Sequence, residues 1–298
     1  MTDVIRHLSS VHSASVITIQ WPMASLRHIA NLWSLRQYPT AEQPWSLEEQ
    51  LDAVRAAGFD GVTGRITPEV GMAARQRGLM IVGYISSSNS EEFSSLLEVQ
   101  KSAGARHVNV QLGDHDTSTD AALLLTIQLF KIAEEIRDLE LSIEVHRDTC
   151  TETPEKTYAL TDRYCEATGR LLPITWDFSH FAVVKHLACE VFSERLLVRP
   201  DLIHRSCQFH FRPFNGHHCQ VPATHADGSL SREFQEWLPF AQDTIQLWLD
   251  GNRKTNRELF VVPEMGPVSS GYNLAQLPNS WDDAVRLRPI LQTIWENR

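Results

Sequence analysis

Leu141-Ser142-Ile143-Glu144-Val145-His146-Arg147-Asp148 is the stretch from which the rest of the chain can be read. Its residues alternate, so it reads as a strand with Ser142, Glu144 and His146 on one side and Ile143 and Val145 on the other. A carboxylate and an imidazole at the end of a short apolar strand suggest a site as well as a sheet. Three later stretches end alike: Thr175-Trp176-Asp177-Phe178-Ser179-His180, Gln208-Phe209-His210-Phe211-Arg212 and Val261-Val262-Pro263-Glu264. One such ending carries little information. Four in succession ask for a common cause.

Outward from these strands, the pattern alternates strand and helix. Ser15 to Gln20 reads as a first strand, followed by a long segment, Trp21 to Trp45, with a short helix over Ala24 to Leu35. Ser46-Leu47-Glu48-Glu49 has the form of a capping box, and Gly58 closes the helix it opens. Strands follow at Gly61 to Gly64, Leu79 to Ile85 and His107 to Leu112, with helices from Pro68, Glu91 and Thr119 between and after them. A helix from Pro154 to Thr168 has Thr153 as its N-cap, and further helices run from Arg232 to Leu249 and from Trp281 to Glu296. Eight strands separated by helices imply parallel pairing, and eight units in one chain fit a single α/β domain over residues 1–298, a closed (β/α)8 TIM barrel. The first strand runs into Trp21-Pro22-Met23 with no glycine-rich phosphate turn, which disfavours a doubly wound open sheet.

Composition narrows the function. A formal net charge of -10 lacks the basic footprint of a nucleic-acid partner. No apolar run approaches the roughly 18 residues of a membrane span, so no membrane partner is expected. Five cysteines without a CxxC pair read as reduced thiols, which places the chain in the cytoplasm. A homo-oligomer is left open.

In a (β/α)8 barrel the active site lies at the C-terminal ends of the strands. Closure would therefore make neighbours of Glu144, Asp177, His210 and Glu264. Three carboxylates and one imidazole form a hard set suited to one divalent ion, Mn²⁺, Mg²⁺ or Co²⁺, and admitting Zn²⁺. His146 and His180 can reach the same rim, either behind the ligands or against a substrate. Arg212 can bind a substrate oxygen, balance carboxylate charge or form a structural ion pair. Gln111 ends the fourth strand. Trp21, Trp33, Tyr38 and Trp45 crowd the first loop, where an aromatic face could cover a sugar or merely pack. Long segments at Trp21–Trp45 and Pro213–Ser229 are expected to cover the mouth.

Glu144-Val145-His146-Arg147-Asp148-Thr149, Asp177-Phe178-Ser179-His180 and Pro263-Glu264-Met265-Gly266-Pro267 resemble the sugar phosphate isomerase/epimerase group of the xylose isomerase-like barrels. That group is related to ketose 3-epimerases and inosose dehydratases. The resemblance implies that Glu144, Asp177, His210 and Glu264 hold the metal and that His180 and Arg212 touch substrate oxygens. The His146-Arg147 pair departs from the epimerase pattern. Such a site supports a metal-stabilised enediolate, with Glu144 and Glu264 as the proton-moving carboxylates flanking a sugar or polyol-derived substrate. The outcome would be isomerisation or epimerisation, or dehydration if the enediolate loses hydroxide. An abasic-site endonuclease is disfavoured by the charge and by Asp-Phe-Ser-His where that branch has Asp-Thr-Cys-His.

Overall fold

The computed structural model describes residues 23–272 and 279–297. Eight parallel strands close into a barrel in sequence order: β1 (Ser25–Asn31), β2 (Gly61–Thr63), β3 (Met80–Ser87), β4 (His107–Leu112), β5 (Glu140–Glu144), β6 (Ile174–Trp176), β7 (Gln208–His210) and β8 (Glu258–Val262). The seam is β1 on β8, in register from Ser25 opposite Glu258 to His28 opposite Val261. The chain is thus a (β/α)8 TIM barrel, with helices filling the connections.

Two expectations give way. The strand expected at Ser15 to Gln20 lies outside the described residues, and β1 occupies part of the segment read as a helix over Ala24 to Leu35. Pairing on both edges, with β2 and β8, overrides the weak local preference. The second concerns Thr175 to His180. β6 stops at Trp176, and Asp177 becomes the N-cap of a helix over Phe178–Val184, its Oδ1 accepting the Ser179 N–H at 3.0 Å. Elsewhere the caps fall where the residues put them: Ser46 and Glu49 complete a capping box, and Thr153 caps Pro154–Thr168.

Pleating sorts each strand into an outward and an inward row. Outward residues join the main core beneath the helices, including Val62, Val108, Ile143, Trp176, Phe209 and Val261. Inside the barrel the wall is divided. Ile29, Val82, Phe260 and Val262 form a separate apolar cluster on one side. The other side is polar: Ser142 Oγ lies 3.0 Å from His107 Nε2 and 2.5 Å from Thr175 Oγ1, and Gln208 Nε2 lies 2.8 Å from His210 Nε2. This polar half carries the acidic strand ends above it.

The outer layer leaves little slack. A Cβ on Gly71, within the helix Pro68–Gln76, would strike the Ala103 carbonyl oxygen. Gly71→Ala should gain roughly 0.5–1 kcal/mol of helix propensity but lose about 1–3 kcal/mol to overpacking. A net loss of stability in urea unfolding, with an unchanged slope, is the expected result; a gain would mean that the two helices part freely.

Candidate metal centre

The four acidic and imidazole strand ends meet at one point. Each of Glu144, Asp177, His210 and Glu264 offers a ligand atom, and these atoms all lie within 4.8 Å of one another. An ion bonded to oxygen at about 2.0–2.6 Å spans such separations. Glu144 ends β5, Asp177 follows β6, His210 ends β7, and Glu264 lies two residues past β8.

Glu144 and Glu264 are each held by one oxygen, whereas Asp177 is engaged through both. Asn109 Nδ2 donates to Glu144 Oε2 at 2.6 Å, and Asn31 Nδ2 donates to Glu264 Oε1 at 2.9 Å. Ser179 donates to Asp177 Oδ1 through both its N–H (3.0 Å) and its hydroxyl (2.5 Å). The second oxygens of the two glutamates turn toward His210. His210 Nδ1 approaches Glu144 Oε1 at 3.1 Å and Glu264 Oε2 at 3.2 Å, yet it is aligned for a hydrogen bond with neither. Glu144 Oε1 likewise has no hydrogen-bond partner although it is fully buried. Buried polar atoms are rarely left so. Donors that converge on a common centre and not on each other are what a metal cage requires, so these residues fit a divalent ion.

Arg212 is the positive charge beside them. Only 1% exposed, it pairs with Asp177 Oδ2 through Nη2, approaches Glu264 Oε2 at 3.5 Å through Nη1, and donates from Nε to Ser179 Oγ at 3.3 Å. Burial would raise the Asp177 carboxyl, but Arg212 and His180 hold it well below the usual carboxylate range. Burial also opposes ionisation of Glu144; His210, with His146 beyond, nevertheless brings it down to about 2. His210 answers to the same balance. Burial disfavours its charge, but Glu264 and Glu144 raise it well above 6.5.

A proton on His210 therefore competes with a metal ion. A ligating imidazole must be neutral, so metal entry should expel about one proton near pH 7 and affinity should rise with pH, by up to about tenfold per unit. The sign for stability is opposite in the metal-free protein. With its folded pKa raised, His210 contributes fully below about pH 6.5, and that contribution is lost as pH rises through the folded value. Calorimetric titration with Mn²⁺ in two buffers of different ionisation enthalpy measures the proton count. No proton release would contradict this arrangement.

Above the four residues opens a cavity of about 260 Å³. His210 and Glu264 line it, as do Gln111, His146 and Arg212 from the sequence reading, whereas Glu144 and Asp177 lie in the wall behind. Gln111 is held by the Tyr84 hydroxyl at 2.8 Å. His180 is buried outside the cavity lining, its ring 4.5 Å from that of His146 and its Nε2 3.4 Å from Asp177 Oδ2. Trp21 lies outside the described residues. Of the aromatic loop residues, Trp33 reaches the cavity, edge-on to Tyr272 at 5.1 Å, while Tyr38 packs on Trp45 at 4.4 Å.

Sequence reasoning missed Asn31, Asn109, Tyr84, Arg65 and Tyr272, all of which line the cavity. Burial pushes both phenols up to about 12, so they stay protonated and able to donate. No residue of Pro213–Ser229 lines the cavity itself, although Cys219 lies 3.8 Å from His180 Nδ1 at its edge. Gln220 exchanges hydrogen bonds with Gly266 in both directions, and Ala223 and Thr224 bond Asp283, which ties that segment to the barrel flank. A second cluster, His107, Glu140 and Cys207, lies at the opposite, N-terminal rim, where burial pushes the Cys207 thiol up to about 12.

No protein-family model matches the chain, and no curated protein matches it. Solved structures do. An L-ribulose 3-epimerase aligns at 14% identity over 91% of this chain and 95% of its own, with a TM-score of 0.59. A D-psicose 3-epimerase, determined in the presence of D-fructose, aligns at 11% identity over 90% of this chain and 99% of its own, with a TM-score of 0.58. A xylose isomerase-like TIM barrel protein from Mycobacterium smegmatis, in complex with magnesium, aligns at 16% identity over 93% and 97%, with a TM-score of 0.55. Likeness at such low identity is a likeness of architecture, and what it shows is the (β/α)8 barrel fold that this chain shares with these proteins.

Proposed function

We propose that the protein is a divalent-metal-dependent isomerase or epimerase of a sugar or related hydroxy-carbonyl compound. The observation that carries this reading is the convergence of Glu144, Asp177, His210 and Glu264, with both glutamates fixed through one oxygen and Asp177 held ionised by Arg212. Mn²⁺, Mg²⁺ or Co²⁺ suits so hard a donor set. Bound there, the ion supplies Lewis acidity to a carbonyl and neighbouring hydroxyl, lowering the cost of charge on both oxygens.

The chain's own groups do the rest. Glu264, at the cavity surface, takes the proton from the carbon next to the carbonyl, and Glu144, the second glutamate of the cluster, serves the other face. Asn31 and Asn109 orient both carboxylates by donating to them. Arg212 holds Asp177 ionised and leaves the cavity-side hydrogen bonding to Tyr84, Gln111 and His146. Fold relatives named for L-ribulose and D-psicose epimerisation support a ketose as the first class to try.

The test is proton NMR in D₂O of the Mn²⁺-loaded protein with a panel of ketoses and keto-acids. Loss of the hydrogen next to the carbonyl, together with a stereoisomer or aldose product, is expected, and chelation should abolish both. A product lacking one water would make it a dehydratase on the same site. Activity that survives full metal removal would sink the proposal.

A further inference from the structure

The cavity carries more positive charge than a neutral sugar would need. Arg212 is spent on Asp177 and Glu264. Arg65, from the loop after β2, and Arg147, from the loop after β5, also line the cavity. Neither has a carboxylate partner or a side-chain hydrogen bond among the described residues. What sets these two apart is their place: both guanidinium groups lie at the mouth of one cavity that holds the candidate metal ligands.

Arg147 is also oriented. Its guanidinium carbon lies 4.6 Å from the centre of the Tyr272 ring, and that of Arg212 lies 5.0 Å from the same centre. Stacking on an aromatic face fixes a guanidinium plane while leaving its N–H edge free to fork onto an oxyanion. Once the cage holds a divalent ion, that ion and three guanidinium groups outweigh the three carboxylates by about two positive charges. A neutral ketose leaves this surplus unanswered. A substrate with its own anionic group answers it, chelating the metal at one end and meeting Arg147 and Arg65 at the other.

We infer that the substrate is anionic, a hydroxy-carbonyl compound bearing a carboxylate or a phosphate that Arg147 and Arg65 receive at the cavity mouth. This rests on the metal-site reading above. The shared chemistry is an oxyanion within reach of two guanidinium groups, and bidentate pairing of this kind is the strong form of such contacts.

The experiment is calorimetric. The protein is first titrated with Mn²⁺, then the loaded protein with three small probes: dihydroxyacetone, dihydroxyacetone phosphate and D-glycerate. At least one anionic probe should bind about tenfold or more tightly than dihydroxyacetone, and the preference should weaken as salt is raised. The double variant Arg65→Gln/Arg147→Gln should lose that preference while binding dihydroxyacetone and Mn²⁺ as the wild type does. Arg147→Lys should keep part of it, which guards against a folding defect in the double variant. A preference for the phosphate probe alone assigns a phosphate ester, and for D-glycerate alone a sugar acid. Equal binding of all three probes overturns the inference, as does a preference that survives in the double variant, because the anion then sits on the metal. Failure to bind Mn²⁺ overturns this inference and the metal-site reading together.

Discussion

Glu264→Gln and Glu144→Gln, each assayed at saturating Mn²⁺, should lose turnover by about 10²–10⁴-fold, the usual contribution of a positioned acid or base. The amide preserves size, but its single oxygen can either serve as a ligand or accept from Asn31 or Asn109, not both. Metal affinity should fall too, so Mn²⁺ binding is measured for each variant before its rate is compared. Solvent exchange then separates the two glutamates. If one serves each face of the substrate carbon, Glu264→Gln stops deuterium wash-in from one stereoisomer and leaves it in the other, and Glu144→Gln does the reverse. Glu144 lies behind the cavity wall, which makes its half of this test the more demanding. Wash-in lost from both stereoisomers in Glu264→Gln, and from neither in Glu144→Gln, would reduce Glu144 to a ligand. Turnover without any exchange in the wild type would point to hydride transfer and end the two-base scheme.

The four candidate ligands were legible because a parallel barrel turns a one-dimensional rule, a polar residue at the end of an apolar strand, into a spatial one. Strand β4 and the helix Pro154–Thr168 fall on the residues that periodicity and capping assign to them. Asp177 carried a second signal, an acid two residues before Ser179 at a helix start, that a strand reading obscured. The partners of the ligands were not legible. Asn31 and Glu264 are 233 residues apart, and nothing in Ser25-Leu26-Arg27-His28-Ile29-Ala30-Asn31 marks its amide as the support of a distant carboxylate. Its mixture of charged and small residues also hid β1 itself, whose strand character comes from two neighbours supplied by barrel closure. Arg65 and Tyr272 sit on loops, where no periodicity exists to assign a face.

Arg212→Met should be the most destabilising substitution in the site, and its cost should depend on metal. Removing one member of a buried ion pair leaves the other charge uncompensated, at about 3–5 kcal/mol. Asp177 is that charge, fully buried and ionised through Arg212. For a chain of this length each kcal/mol moves the melting temperature by roughly 1.6 °C, so a drop of roughly 5–8 °C is expected in chelator. The sign with pH follows from Asp177. Its folded pKa is depressed in the wild type, so its stabilisation is present above the unfolded value of 3.8 and is lost as pH falls through the folded one. Without Arg212, burial would favour the neutral acid, and the gap between variant and wild type should be widest near neutrality and narrow on acidification. Mn²⁺ gives Asp177 a second cationic partner. Wild type and variant are both stabilised by mass action, about 2.7 kcal/mol at a hundred times the dissociation constant, but the variant gains more because its cage is one positive charge short. The melting gap should therefore shrink on loading. A gap of equal size with and without Mn²⁺ would mean that Asp177 does not share its charge with the metal, and the four-residue cage would lose one of its corners.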